Sequence, residues 1–302
     1  MDLTFSDAQE AFRAEARAWL EAHVPAEPLA SFDTAEGFEA HRRWEREMFD
    51  DRWSVVSWPV EYGGRDVGIF EWLVFEEEYY RSQAPTRVSQ NGIFRSEPEA
   101  ERHRGLTYFL VAMDTPGVTV RPIPQIDGET GFAEIFFDDV EVPEDQVLGE
   151  VGAGWSVAMA TAGSERGLSL RSPARYTEAA ERLVQLYATR GRPAASADAV
   201  ARAHMHAEAY ELHTYWTASR VARGHAVGAE ASANKIFWSE TDLAIHTAAL
   251  DLLGPEAELL TAGAPGEWLD GYLFSLAGPI YAGTNEIQRN VVAERLLGLP
   301  RG

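Results

Sequence analysis

The segment GPIYAGTNEIQRN, residues 278–290, carries the most information in this chain. Two glycines and a proline precede a run that can form a helix, and Thr284 stands at the expected N-cap. Backbone N–H groups at a helix start have no partner within the helix, so they suit a carbonyl oxygen or a phosphate. A capped helix start without any ligand is the alternative, and it is the commoner case for such a pattern.

The sequence from residue 151 to the C-terminus, which includes this segment, is mostly helical in pattern. Glycine and proline clusters at 191–193, 224–228 and 254–266 separate the helical stretches. Long helices with short connections favour an antiparallel four-helix bundle. The predicted helices cover residues 152–189, 196–223, 227–253 and 285–297.

The first half of the chain predicts a second helical region. Residues 2–50 have helical spacing, and Ser6 is suited to cap the first helix. The segment WPVEYGG, residues 58–64, combines proline with two glycines and predicts a turn. Helical spacing returns over Ile69–Arg81.

Three strand-like runs lie between the two helical regions. They cover residues 106–113, 118–123 and 133–140, and turn-forming residues separate them. Three strands make a poor independent domain, so they are expected to belong to a larger sheet. The predicted fold is mainly α with a small β domain. Its predicted parts are an N-terminal helical domain (1–94), a truncated middle β-domain (95–150) and a C-terminal bundle (151–302).

Composition excludes several classes of function. The net charge of −22 disfavours nucleic-acid binding, which needs clustered Lys and Arg. The absence of cysteine rules out disulfides and thiolate chemistry, and the eight histidines lack metal-site spacing, so no metal is expected. No apolar run approaches the roughly 20 residues of a membrane span. The N-terminus has no secretory signal pattern, and a cytoplasmic protein is expected.

Four segments, in order, resemble the acyl-CoA dehydrogenase family. IYAGTNEIQRNVVAERLLGLP (280–300) is similar to its C-terminal motif, and WPVEYGG (58–64) to part of its N-terminal domain. FFDDVEVPEDQVLGEVGAGW (136–155) resembles the exit from the family's middle β-domain. SERGLSLRSPARY (164–176) resembles the first helix of its C-terminal bundle.

The resemblance implies an activity and a set of partners. Family members introduce a double bond α–β to an acyl-CoA thioester, a step of fatty acid metabolism, with a glutamate as base and FAD as hydride acceptor. An electron-transferring flavoprotein normally receives the electrons. Members form dimers or tetramers, so a homo-oligomer or a pair with a homologous subunit is expected here.

The catalytic base is the first departure from the family. Many members have glutamate where this chain has Ala282, whose backbone N–H could still bind the thioester oxygen. A smaller branch places the base in a Glu-Arg pair, here Glu165-Arg166. Trp155, Ala158, Ala162 and Glu165 follow helical spacing, which predicts a buried glutamate with a raised pKa. An internal ion pair is the alternative role for Glu165.

The resemblance assigns five further residues. Arg166 matches a position that contacts the CoA part of the substrate, and Gly283 matches a substrate-loop position. Thr284, Asn285 and Glu286 match the flavin-contacting segment. A carboxylate at Glu286 would repel flavin phosphates, which weakens that assignment.

A block of the family's middle domain is missing. After Phe94 the family continues with a helix and with strands that cover the flavin ring, but here RSEPEAERHRG (95–105) leads at once into a later strand. Three explanations for the missing block remain open: an internal deletion, a gap in the recorded sequence, or a protein that has lost flavin binding. A non-catalytic subunit that pairs with an active homologue is therefore the alternative function. A flavin monooxygenase or acyl-CoA oxidase on the same scaffold is a third.

Overall fold

Helices dominate the structure, which confirms the predicted mainly α fold with a small β region. This computed structural model describes residues 5–30, 34–85, 93–96, 106–128, 130, 132–164, 172–225, 227–258 and 264–300. Among these residues, no helix is both long and apolar enough to cross a bilayer.

Three helices form the N-terminal region: α1 (Asp7–His23), α2 (Ala35–Asp50) and α3 (Ile69–Arg81). Ser6 caps α1 as predicted: its hydroxyl accepts from the Gln9 N–H, and the Gln9 side chain accepts from the Ser6 N–H. The helices pack around an aromatic core that also takes in part of the loop after α2. Its buried members are Ala16, Leu20, Trp44, Met48, Trp53, Val56, Phe75 and Tyr79.

The β region consists of two separate antiparallel pairs rather than one sheet. Strand β1 (Ile93–Ser96) pairs with β2 (Leu106–Phe109), and β3 (Val118–Ile123) pairs with β4 (Phe132–Phe137). The predicted domain boundary after residue 94 thus falls within β1. The β3–β4 hairpin is exposed along almost its whole length, on both faces.

The C-terminal bundle contains α4 (Gly154–Ser164), α5 (Ala174–Thr189), α6 (Ala197–Ala222), α7 (Glu230–Leu253), α8 (Ala264–Ser275) and α9 (Asn285–Val291). One π-helical turn, Val292–Leu296, follows α9. Helix α7 packs against α5, α6, α8 and α9, so it is the central helix of the bundle. The core includes Tyr176, Leu183, Tyr210, Trp238, Ile245 and Trp268. A small cluster around Leu73 and Ala218 joins α3 to α6.

One helix prediction in the bundle was wrong, and one helix was missed. The predicted helix 152–189 is not continuous, because Ser172 is non-helical and α5 begins after Pro173, whose ring and missing N–H break a helix. Helix α8 was not predicted. It packs closely on α7, where a Cβ at Gly271 would lie 2.3 Å from the His246 ring.

The spacing of Trp155, Ala158, Ala162 and Glu165 predicts one buried helix face, and this prediction is wrong for Trp155. Trp155 is 39% exposed, because α4 packs mainly against the short strand β2.

Candidate functional site

A turn between α8 and α9 carries most of the predicted site residues. The Asn285 N–H donates to the Pro279 carbonyl at 2.8 Å and closes the turn. Ala282 and Gly283 both have left-handed backbone, with φ of 54° and 82°. We call residues 278–285 the site turn.

The carbonyls of Ala282 and Gly283, at the middle of the site turn, face the protein interior. The amide nitrogen of Gln288, a residue only 1% exposed, lies 2.9 Å from the Ala282 carbonyl and 3.4 Å from the Gly283 carbonyl. A trans peptide holds each carbonyl opposite the next N–H. The N–H groups of Gly283 and Thr284 therefore point away from Gln288.

The outward N–H groups of Gly283 and Thr284 are available for a ligand. Within the described part of the chain, neither they nor the N–H group of Ala282 donates to another residue. Gly283 is exposed, so the turn is open to solvent at its apex. The arrangement can bind an oxygen that carries, or gains, negative charge.

Thr284 is the N-cap of α9, as the sequence predicted. Its hydroxyl accepts from the Ile287 N–H at 3.4 Å. The carboxylate of Glu286 is fully exposed beside it. Hydrogen bonds from its own backbone N–H and from the Thr284 hydroxyl lower the pKa of Glu286, so it is negatively charged at neutral pH.

Asn285 lies beneath the turn rather than at its surface. Its side-chain oxygen accepts from Lys235 Nζ at 2.8 Å and from Ser239 Oγ at 3.2 Å. Lys235 Nζ also donates to the Gly278 carbonyl at 2.8 Å. A contact of Asn285 with the cofactor remains a prediction.

Three supporting residues were missed by the sequence analysis: Lys235, Ser239 and Gln288. Gln288 is four residues after Thr284, so helical spacing from a predicted site residue was the available signal for it. Lys235 and Ser239 lie on α7, which carries no predicted site residue, so no such signal marked them. The distance in sequence between α7 and the turn concealed the contact.

Glu165 and Arg166 lie outside the described residues. Helix α4 ends at Ser164, directly before them, and α5 begins at Ala174. The assignments of Glu165 as base and of Arg166 as a CoA contact therefore remain predictions.

A cavity of about 860 Å³ lies elsewhere, between the N-terminal helices and the α5–α6 face of the bundle. No residue of the site turn lines it. Five glutamates do: Glu77, Glu178, Glu181, Glu208 and Glu211. Burial raises the pKa of Glu77, Glu178 and Glu211. Arg81 and Arg182 line the cavity too, but five carboxyl groups against two guanidinium groups do not suit the phosphates of CoA or of a flavin.

The residues of the site turn fit one side of a flavin or thioester site. They offer outward N–H donors. Beneath them, the buried Oε1 of Gln288 has no hydrogen-bond partner among the described residues. The strands that the structure describes form two separate pairs. Also within the described ranges, no group of three or more His, Asp or Glu side chains could hold a metal ion.

Comparison with known proteins matches both helical regions to one family. Residues 6–94 match the model of the acyl-CoA dehydrogenase N-terminal domain, and residues 152–297 match that of the C-terminal domain. Acyl-CoA dehydrogenase IpdE1 of Mycobacterium tuberculosis is 30% identical, and the match covers 97% of this chain and 98% of that protein. The alignment spans 387 positions against 302 residues here, so the relative contains a stretch that this chain lacks.

Solved structures agree with this match. A Tcur3481-Tcur3483 steroid ACAD superimposes with a TM-score of 0.82 at 21% identity, over the full length of both chains. The ChsE4-ChsE5 complex from Mycobacterium tuberculosis gives a TM-score of 0.78 at 22% identity, again over both full chains. With the two matched regions separated only by residues 95–151, the chain belongs to the acyl-CoA dehydrogenase family and has a shortened middle β region.

Proposed function

We propose that this chain is a flavin-dependent acyl-CoA dehydrogenase subunit that introduces a double bond α–β to an acyl-CoA thioester. The observation that supports this is the site turn: three adjacent N–H groups have no partner among the described residues, and Gln288 holds the carbonyls of Ala282 and Gly283 from below. Family membership supplies the reaction class. The name of the structural relative, a steroid ACAD, extends the candidate substrates to polycyclic acyl-CoA thioesters.

The site turn acts on the thioester oxygen. The N–H groups of Ala282 and Gly283 donate to it, and these bonds strengthen as removal of the α-proton places negative charge there, while Thr284 lies at the cofactor. Glu165 takes the α-proton, and Arg166 contacts the CoA part. FAD, when bound, supplies the acceptor for the β-hydride, and an electron-transferring flavoprotein is the proposed next acceptor.

The test is an absorbance spectrum of the purified protein, before and after addition of straight-chain, branched and steroid-type acyl-CoAs. A flavin spectrum that one of them bleaches is the expected result. Glu165→Gln should keep the flavin and lose at least about 10²-fold in turnover, the range of a general base. Glu150→Gln, an exposed glutamate just before α4, is the control and should turn over normally. Wild-type turnover in Glu165→Gln would remove Glu165 from the mechanism.

A second candidate is a non-catalytic subunit that completes the site of an active homologue. The exposed β3–β4 hairpin favours it, because this chain alone leaves both faces of the hairpin uncovered. Two similar structures, the Tcur3481-Tcur3483 steroid ACAD and the ChsE4-ChsE5 complex, each carry the names of two proteins, which also favours a paired subunit.

The two candidates differ in where the base resides. The chain should be purified alone and together with a full-length homologue, and flavin per chain and turnover should be measured. If the paired complex is active and Glu165→Gln leaves its turnover unchanged, this chain is the non-catalytic member. If Glu165→Gln abolishes turnover of the complex, the base lies in this chain.

A further inference from the structure

Lys235 holds the site turn from beneath. It is the sole lysine of the chain, against 25 arginines, and its side chain is 1% exposed. Its ammonium group lies 2.8 Å from the Gly278 carbonyl and 2.8 Å from Asn285 Oδ1. One cation therefore binds both ends of the turn.

A buried ammonium group is costly unless its donors are used. A lysine presents a compact group with three donors on a flexible stem, whereas an arginine presents a wide planar fork. A lysine thus fits between two acceptors that approach from different directions. The Ser239 hydroxyl, one helical turn further along α7, lies 3.2 Å from the same Asn285 oxygen and 3.0 Å from the Ile236 carbonyl, so these two acceptors share its one proton.

These contacts, together with Gln288, fix the turn at its ends and its middle. Lys235 holds the carbonyl of Gly278 and the side chain of Asn285. Gln288 holds the carbonyls of Ala282 and Gly283. The outward direction of the Gly283 and Thr284 N–H groups follows from where Gln288 holds the two preceding carbonyls, and Lys235 fixes the ends of the turn that carries them.

We infer that Lys235 is a positioning residue: by holding Gly278 and Asn285 together, it aims the N–H groups of the site turn at the thioester oxygen. That the N–H groups point at a thioester oxygen rests on the proposed function. That Lys235 holds Gly278 and Asn285 together concerns the turn alone. Because donors placed for the transition state act on the rate more than on substrate binding, loss of Lys235 should lower kcat and leave KM nearly unchanged.

The first experiment measures hydrogen exchange at the Asn285 amide, which closes the turn by its bond to Pro279. In Lys235→Met, exchange there should be at least about 10-fold faster than in the wild type, with α5 and α6 unchanged. Leu183→Ala removes a buried core side chain in the same bundle and is the control for general destabilisation. It should show no selective change at Asn285.

An unchanged Asn285 amide in Lys235→Met would overturn the inference, as would an equal change in Leu183→Ala. If Lys235→Met does not fold, Lys235→Gln takes its place. Its shorter, uncharged side chain cannot hold both the Gly278 carbonyl and Asn285 Oδ1, so exchange at the Asn285 amide should be at least about 3-fold faster than in the wild type. No change there would also overturn the inference.

The second experiment measures kinetics with an acyl-CoA that bleaches the wild-type flavin. Lys235→Met should lose about 10²-fold in kcat with KM within about 3-fold of wild type. A rise in KM at constant kcat would overturn the positioning role. If the wild type oxidises no acyl-CoA, the proposed function fails, while the exchange result still decides whether Lys235 holds the turn.

Discussion

Ala282 and Gly283 form the most constrained backbone of the candidate site. Both have positive φ, which costs an alanine about 1 kcal/mol but costs a glycine nothing. A Cβ on Gly283 would lie 2.5 Å from the amide nitrogen of Gln288. Since Gln288 is buried, it could move only by giving up its bonds to the turn.

The two residues should therefore respond unequally to exchange of alanine and glycine. Gly283→Ala should lower the free energy of unfolding by about 2 kcal/mol, from left-handed strain and the displaced Gln288. Ala282→Gly should change it by less than about 0.5 kcal/mol, because relief of strain offsets the greater freedom of the unfolded chain. Urea unfolding of both variants checks this. Equal losses in the two would contradict the role given to Gln288.

At the scale of elements, α1 and α3 are joined by a cluster of arginines around one buried carboxylate. Glu78 is 2% exposed. Arg17 Nε lies 2.8 Å from its Oε2, while Arg13 and Arg81 lie 3.1 Å and 3.0 Å from its Oε1. Burial alone would raise the pKa of Glu78, but the hydrogen bonds from Arg17 and Arg13 outweigh it and lower the pKa.

Glu78→Gln should lower the free energy of unfolding at pH 7 by about 2 kcal/mol. Loss of one partner from a fully buried ion pair costs about 3–5 kcal/mol, and the loss is smaller here because the arginines around Glu78 remain partly exposed. A carboxyl group whose pKa is lowered by folding stabilises the folded state at pH values above its unfolded pKa of about 4.3. That contribution is lost as the pH falls through the folded pKa. The difference between variant and wild type should therefore shrink below about pH 4.

Denaturant unfolding from pH 3 to pH 8 checks this prediction. Glu61→Gln, which removes an exposed carboxylate from the same helical region, is the control and should have little effect at any pH. A variant–wild-type difference that stays constant with pH would show that the Glu78 charge is not the cause.

At the scale of the whole molecule, the shortened β region leaves an uncovered hairpin. Strands β3 and β4 pair over six residues each, and Val120, Ile123, Phe132, Ile135, Phe136 and Phe137 are all exposed. Alternate residues of a strand point to opposite faces, so apolar surface is open on both. An isolated two-stranded hairpin is only marginally stable in water.

The hairpin should therefore open locally long before the bundle unfolds. Hydrogen exchange of the protein alone should be at least about 10²-fold faster over residues 118–137 than over the core of α7. Mass spectrometry of the two peptides measures it. Equal protection would mean that another chain, such as a second subunit, covers the hairpin in solution.

Much of this architecture was predictable from local pattern. The Ser6 cap, the helix Ile69–Arg81 and the Thr284 cap were predicted and are confirmed, since each depends on residues within one or two turns of one another. Helix α8 was missed because proline and glycine at its start and a glycine within it resemble a loop. Its helical state depends on packing against α7.

The sequence alone determined the family, the order of helical and β regions, and a turn that leads into the last helix, because motifs and periodicity are local properties of the chain. Only the tertiary structure decided which way the site turn faces. Lys235 and Ser239 lie more than 35 residues before the turn, so their hydrogen bonds to it exist only once α7 has packed beneath it. Likewise, only the folded chain shows that the β3–β4 hairpin is exposed on both faces within the part of the chain that the structure describes, because burial depends on which surfaces meet.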